Sequence, residues 1–174
     1  MEVMDAAAQR RIGRIRQAAR TVLGRRNREH PTVQEVTVDP SPSPVDLHFL
    51  EEQLNSYNIR STGVPYGDWI AVFCRDETSA IVAGVSAWTW GNCLEITYFW
   101  VREDLRGKGY GTRLLTAVEQ EGLARGCRLA LLNTFSFQAP TFYHKLGYTT
   151  FGMVDDYLDG CARYYLRKIL VGAD

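Results

Sequence analysis

VREDLRGKGYGTRLL, residues 101–115, sets Gly107, Gly109 and Gly111 at alternate positions directly ahead of a segment that turns amphipathic. Glycine inside a helix or strand weakens it, so this clustering implies a backbone that takes unusual dihedrals or lets something approach closely. The residues before it, CLEITYFWV (93–101), read as a strand, and those after it read as a helix through Ala124 closed by Gly126. A strand, a glycine turn and a helix N-terminus aim unpaired backbone N–H groups and the positive end of the helix dipole at one point, which suits a phosphate or pyrophosphate. Arg106 and Lys108 add positive charge, although a flexible turn with incidental basic residues is the alternative. The spacing is neither GxGxxG nor GxxxxGK[ST], so the familiar dinucleotide and Walker loops are excluded.

Outward from this stretch the chain alternates strands and helices. A short strand is expected at 33–38, a helix at 45–59 with Leu47, Leu50 and Leu54 on one side, and a loop at 61–68. Strands at 69–75, 80–90 and 93–101 follow, joined by DETS and GN turns that suit antiparallel hairpins. After Gly126 come a strand at 128–135, a short helix at 139–146, and strands at 148–154 and 161–169. The pattern predicts an α/β (α+β) domain with a mixed central sheet and flanking helices.

The 174 residues carry no net charge, but residues 1–30 hold eight arginines against three acidic residues, leaving the remainder with a surplus of five negative charges. Met4, Ala8, Ile12, Ile15, Ala19 and Val22 recur at helical spacing. Residues 1–30 are therefore read as an appended amphipathic helix that packs on the domain or on a partner subunit, and 31–174 as the domain. Glu2, Asp5 and the lack of serines argue against an organelle-targeting peptide, and the lack of aromatics against a nucleic-acid arm. No apolar run approaches the roughly 20 residues of a membrane span. Cys74, Cys93, Cys127 and Cys161 form no CxxC pair, which suits reduced thiols in a cytoplasmic protein, and His30, His48 and His144 lack metal-ligand spacing.

RGKGYG, with Arg106, Gly109 and Gly111, resembles the [Q/R]xxGx[G/A] signature of the GNAT acyltransferase superfamily, and APTFYHKLGY (139–148) resembles that family's second segment. The resemblance spans about residues 33–170. It implies a mostly antiparallel sheet whose fourth and fifth strands, 93–101 and 128–135, splay apart around the pantetheine arm of acetyl-coenzyme A. It further implies that Phe99 and Val101 bind that arm through their backbone, and that Arg106, Gly107, Lys108, Gly109, Tyr110, Gly111 and Thr112 surround the pyrophosphate. Ser136 stands where relatives often carry an asparagine, with Asn133 three positions earlier.

Acetylation of an amine asks for a base and an acid, because an alkyl ammonium with a pKa near 10 attacks only after losing a proton and a thiolate leaves more readily when protonated. Glu95 is the sole carboxylate inside strand 93–101, and alternation puts it on one face with Thr97 and Phe99. By resemblance it takes the place of the catalytic glutamate of histone-acetylating relatives, and Tyr143 that of the tyrosine that protonates the thiolate. Core and surface roles are the alternatives for both. Trp88, Trp90, Glu51, Glu52, Asp155, Asp156 and Asp159 fall on elements that border the family's acceptor groove, which favours a cationic amine. The expected activity is N-acetylation of a small-molecule primary amine by direct transfer in a ternary complex, without metal, nucleic acid or membrane, in a chain that is a possible homodimer. A protein- or peptide-acetylating enzyme and a non-catalytic acyl-coenzyme A module are the alternatives.

Overall fold

The computed structural model describes residues 36–171. Two units meet between Ser43 and Pro44. In the first, residues 36–43 form no helix or strand, so the strand expected at 33–38 is not formed over its described part. Val36 and Val38 are exposed there, so their side chains bury nothing that would hold an extended run against a sheet. The rest of that strand, and the arginine-rich leader, lie outside the described residues.

The second unit runs α1 (Pro44–Thr62), β1 (Asp68–Arg75), β2 (Ile81–Trp90), β3 (Cys93–Val101), a 3₁₀ turn (Glu103–Leu105), α2 (Tyr110–Ala124), β4 (Leu129–Phe135), α3 (Pro140–Lys145), β5 (Thr149–Leu158) and β6 (Cys161–Ile169). The strands form one sheet in the order β1-β2-β3-β4-β6-β5, antiparallel except where β3 meets β4. Ala83, Val85, Ala87, Leu94, Ile96, Ala130, Leu132 and Leu166 turn one face of the sheet toward Leu114, Leu115 and Val118 of α2. Gly122 lets α2 press on the sheet, since a Cβ there would stand 3.0 Å from Leu94 Cδ2. The helix then stops at Gly126, φ +90°, where Gly126 N–H bonds the Leu123 carbonyl and Cys127 N–H the Gly122 carbonyl, the paired bonds of a left-handed helix end. α1 behaves differently from its expectation: Leu47, Leu50 and Leu54 are exposed, and the helix is tied to the following loop by the Tyr66 hydroxyl, which donates to Glu51 Oε1 at 2.7 Å.

Two irregularities in β3 place everything that follows. Its parallel ladder with β4 covers only Cys93–Ile96 against Leu129–Leu132; beyond these pairs the two strands part, which is the splay expected between strands 93–101 and 128–135. In the same region the β2 ladder slips: Ala87 faces Ile96 but Ser86 faces Tyr98, leaving Thr97 as an extra residue, a β-bulge. A one-residue bulge inverts side-chain alternation beyond it. Ile96 and then Phe99 and Val101, not Thr97, therefore share the core side with Val85 and Ala83. Deletion of Thr97 would remove the bulge and leave Phe99 and Val101 on the core side, since Ile96 and Tyr98 would then be neighbours opposite Ala87 and Ser86. Urea unfolding should show a loss of about 2–4 kcal/mol for Phe99→Ala, which removes a ring packed against the core cluster, and under about 1 kcal/mol for Thr97→Ala.

Candidate active site

The glycine turn owes its path to two left-handed residues, Gly107 at φ +72° and Gly109 at φ +82°. A Cβ at either would meet nothing within 4 Å, so glycine is needed there for the dihedral and not for space. Gly111 differs: it lies in the first turn of α2, and its Cβ would stand 3.2 Å from Phe142 Cζ and 3.5 Å from Phe99 Cζ. Its missing side chain lets two aromatic rings close against the start of the helix. No side chain caps α2, whose first intrahelical bond runs from Arg113 N–H to the Gly109 carbonyl at 3.1 Å. The amides of Tyr110, Gly111 and Thr112 thus precede any intrahelical partner, at the positive end of a 15-residue helix. Lys108 and Thr112 are exposed beside them. Arg106 is exposed too, its Nε donating to the Val101 carbonyl at 3.2 Å and thereby fastening the turn to the end of β3.

The parted edge of β3 follows from register. Ala83 faces Val101 and Arg102 N–H bonds the Val82 carbonyl, so Val101, and by the two-residue period Phe99, direct their own N–H and C=O groups away from β2 toward the gap. No ladder to β4 takes up those groups. Their side chains meanwhile turn to the α2 side, where Phe99 stacks on Phe142 (5.7 Å between centroids) and meets Tyr143 edge-on at 6.1 Å. Tyr143 is only 7% exposed, and its ring also contacts Phe142 at 5.1 Å and Tyr148 at 5.9 Å. Burial pushes its phenol from the ordinary value of 10 up to about 12, which keeps it a proton donor throughout the neutral range.

Glu95 lies elsewhere. Because of the bulge it does not share a face with Phe99, as simple alternation predicts; it faces Trp88 across the ladder and is exposed on the opposite side of the sheet. Trp88 packs there against Tyr66 (4.7 Å) and Trp69 (5.3 Å), and Tyr66 in turn holds Glu51. Phe99 and Tyr143 on one face, and Glu95 with its aromatic neighbours on the other, are thus separated by the sheet at the place where it opens. Trp90 is half-exposed at the β2–β3 hairpin, while Glu51 and Glu52 pair with His48 at 3.6 and 3.4 Å. Ser136 is exposed after β4, its N–H committed to the Ala162 carbonyl at 2.8 Å. Asn133 is also committed, accepting from Arg163 at 3.1 and 2.7 Å. β5 runs to Leu158, past the expected end at 154, so Asp155 and Asp156 lie on the strand; Asp156 accepts from Gly160 N–H of the β5–β6 turn, and Asp155 and Asp159 are exposed. A cavity of about 440 Å³ among Pro65, Tyr66, Gly67, Thr89 and Arg125 is lined by none of the expected residues.

Sequence reasoning missed Phe142 and Arg163. The guanidinium of Arg163 lies over Phe135, Tyr157 and Tyr165, 4.9 to 5.6 Å from their centroids, and the Tyr157 hydroxyl accepts from it at 2.7 Å. It also missed Glu119, although a carboxylate on the apolar stripe of Leu115, Val118 and Gly122 was a readable anomaly. Among the described residues no group of three His, Cys, Asp or Glu side chains is arranged to hold a metal ion, and no helix is long and apolar enough to cross a membrane.

A sheet opened between two parallel strands, with a glycine-led helix N-terminus beside the opening, defines an acetyltransferase fold, and residues 31–148 match the Acetyltransferase (GNAT) family. The chain belongs to that family and is a GNAT acetyltransferase. It is 33% identical over 97 residues to the blasticidin-S acetyltransferase of Streptomyces morookaense, covering 55% of this chain and 69% of that protein. The crystal structure of an acetyltransferase from Bacillus cereus aligns at a TM-score of 0.67 with 31% identity, over 77% of this chain and 98% of that one. An aminoglycoside 6'-N-acetyltransferase complexed with coenzyme A shares the fold at a TM-score of 0.55 and 19% identity, over 79% and 98% of the two chains.

The buried phenol makes a pH prediction. Below pH 10 Tyr143 is neutral folded or unfolded, and its burial contributes in full. Between 10 and about 12 the unfolded chain ionises first, so stability falls as pH rises through that window. Denaturant midpoints measured from pH 8 to 11 should fall less steeply for Tyr143→Phe than for the parent chain.

Proposed function

We propose that this acetyltransferase moves an acetyl group from acetyl-coenzyme A to a primary amine of a small molecule by direct transfer within a ternary complex. One observation carries the reading. A buried neutral phenol and a water-exposed carboxylate lie on opposite faces of the sheet at its opening, and both a free backbone edge and a helix N-terminus lead to that opening. In this reading the amides from Gly107 to Thr112, with Arg106 and Lys108, neutralise the pyrophosphate. Phe99 and Val101 offer backbone groups to the pantetheine arm along the parted edge. Ser136 and Asn133 have an amide and a side-chain oxygen already committed, which leaves them secondary.

Acetyl-coenzyme A supplies the activated carbonyl as a thioester. Glu95, directly or through a water molecule, accepts the proton that the acceptor ammonium must lose. As the C–N bond forms and the C–S bond breaks, Tyr143 gives its proton to the departing sulfur, and the second proton lost by the nitrogen returns through water to the phenol. Trp88, Trp69 and Tyr66, with carboxylates at Glu95 and Glu51, suit a cationic amine with apolar surface. The blasticidin-S acetyltransferase likeness supports a small molecule as the first acceptor class to try.

A panel of cationic amines and amino-terminal peptides, assayed for acetyl-coenzyme A-dependent thiol release, tests the acceptor. On the best amine Tyr143→Phe should lower kcat by about 10²-fold while leaving the coenzyme A Kd nearly unchanged. Glu95→Gln should also spare Kd, and its rate should partly recover as pH rises and more amine is free. Full activity in both variants would overturn the acid and base assignments. For the phosphate site, acetyl-coenzyme A should raise Tm by several degrees and a dephosphorylated pantetheine thioester much less; equal shifts would remove the glycine turn from binding.

A further inference from the structure

The segment after α3 folds back on itself. Gly147, at φ +89°, reverses the chain so that Tyr148 returns beneath Tyr143. Tyr148 N–H bonds the Tyr143 carbonyl at 3.1 Å, and its own carbonyl accepts from His144 Nδ1 at 3.0 Å. Its ring is 2% exposed and packs edge-on against the Tyr143 ring. The backbone and the side chain of Tyr148 both therefore bear on the position of Tyr143.

What fixes Tyr148 is ionic and lies in the core. Its hydroxyl donates to Glu119 Oε1 at 2.9 Å, and Glu119 Oε2 accepts from Lys168 Nζ at 2.6 Å. Lys168 Nζ also lies 5.6 Å from the centre of the Tyr148 ring. Glu119 is 8% exposed, on the inner face of α2 whose first turn begins the phosphate-facing amides, and Lys168 comes from β6. Burial first, and Glu119 second, hold the Tyr148 phenol far above its ordinary pKa, so its proton stays in the bond. Such a pair is a weak device for stability alone, because apolar residues of similar volume usually do as well or better. Its distinctive property is direction: two hydrogen bonds on one carboxylate set where α2, β6 and Tyr148 lie relative to one another.

We propose that Glu119, Lys168 and Tyr148 form a positioning triad that holds Tyr143 at the opening between β3 and β4, so that they govern turnover and not cofactor affinity. The inference rests on the reading of Tyr143 as the proton donor, and its test separates the two. Tyr148→Phe removes only the hydroxyl and leaves Glu119 paired with Lys168, so the variant should fold. It should lower kcat about three- to tenfold at a temperature well below its Tm, with KM for acetyl-coenzyme A unchanged. In a Tyr143→Phe background the same change should have no further effect on kcat, since a group that acts through another loses its effect when that other is gone. The double replacement Glu119→Leu with Lys168→Met, which removes both charges together, should reproduce the kcat loss of Tyr148→Phe. Glu119→Gln alone is less informative, because it leaves the partly buried Lys168 ammonium without its partner. If Tyr143→Phe is fully active, the proton-donor reading fails and the inference with it. If Tyr143→Phe is impaired but Tyr148→Phe leaves kcat intact, raises KM, or multiplies with Tyr143→Phe, the triad is structural and the inference alone is overturned.

Discussion

The opening between β3 and β4 is the constraint on which the rest of this structure depends. A parallel pair is normally continuous, because each amide left without a partner in a protein interior costs about as much as a lost hydrogen bond. Here the ladder ends after Ile96 and Leu132, although β3 continues to Val101 and β4 to Phe135. Each strand keeps its other neighbour, β2 for β3 and β6 for β4, so both remain in the sheet while their facing edges pair with no strand; there Arg106 reaches the Val101 carbonyl and Gln138 accepts from Phe135 N–H. The bulge at Thr97 belongs to the same event. It increases local twist and lets β3 leave β4 without losing β2.

The phase change at the bulge also supplies the wedge. Phe99, turned inward by it, stacks on Phe142, and that contact is possible because Gly111 has no side chain to intervene. Strand β3, the start of α2 and α3 are therefore joined by one aromatic cluster beside the opening. Gly111 serves this closure and not the dihedral role of Gly107 and Gly109, so three glycines in one short turn answer two separate physical demands. The uncapped amides of α2 are consequently held at a fixed place relative to the free edge of β3. Arg106 reinforces that relation through the Val101 carbonyl.

Much of this was legible in the sequence where local rules apply. The hairpin strands, the helix closed at Gly126 and the short helix before KLGY appear within one or two residues of their expected bounds, because turn chemistry and periodicity are properties of neighbouring residues. What failed was non-local. Alternation put Glu95 and Phe99 on one face, and only the pairing of β3 with β2 shows the extra residue that separates them. The leucines of α1 follow helical spacing, yet spacing does not say whether a partner lies opposite. Glu119 and Lys168 are 49 positions apart, and Arg163 reaches Asn133 across 30, separations at which a single sequence carries no pairing signal.

The separation of the two proposed groups has an electrostatic logic of its own. Proton transfer chemistry at neutral pH needs one group that holds its proton and one that is ready to take one, and equal environments rarely provide both. Tyr143 is enclosed by aromatic rings on the α2 side, so ionisation would strand a charge in a poorly polarisable interior, and its pKa rises to about 12. Glu95 stands in water on the opposite face. Had β3 kept simple alternation past Ile96, Phe99 would share the exposed face with Glu95 and would leave the rings that enclose Tyr143. The inserted residue at Thr97 therefore does more than accompany the opening: it brings Phe99 to the dry side, where Tyr143 packs, while Glu95 stays on the wet one, and the opening between the strands is where the two sides meet.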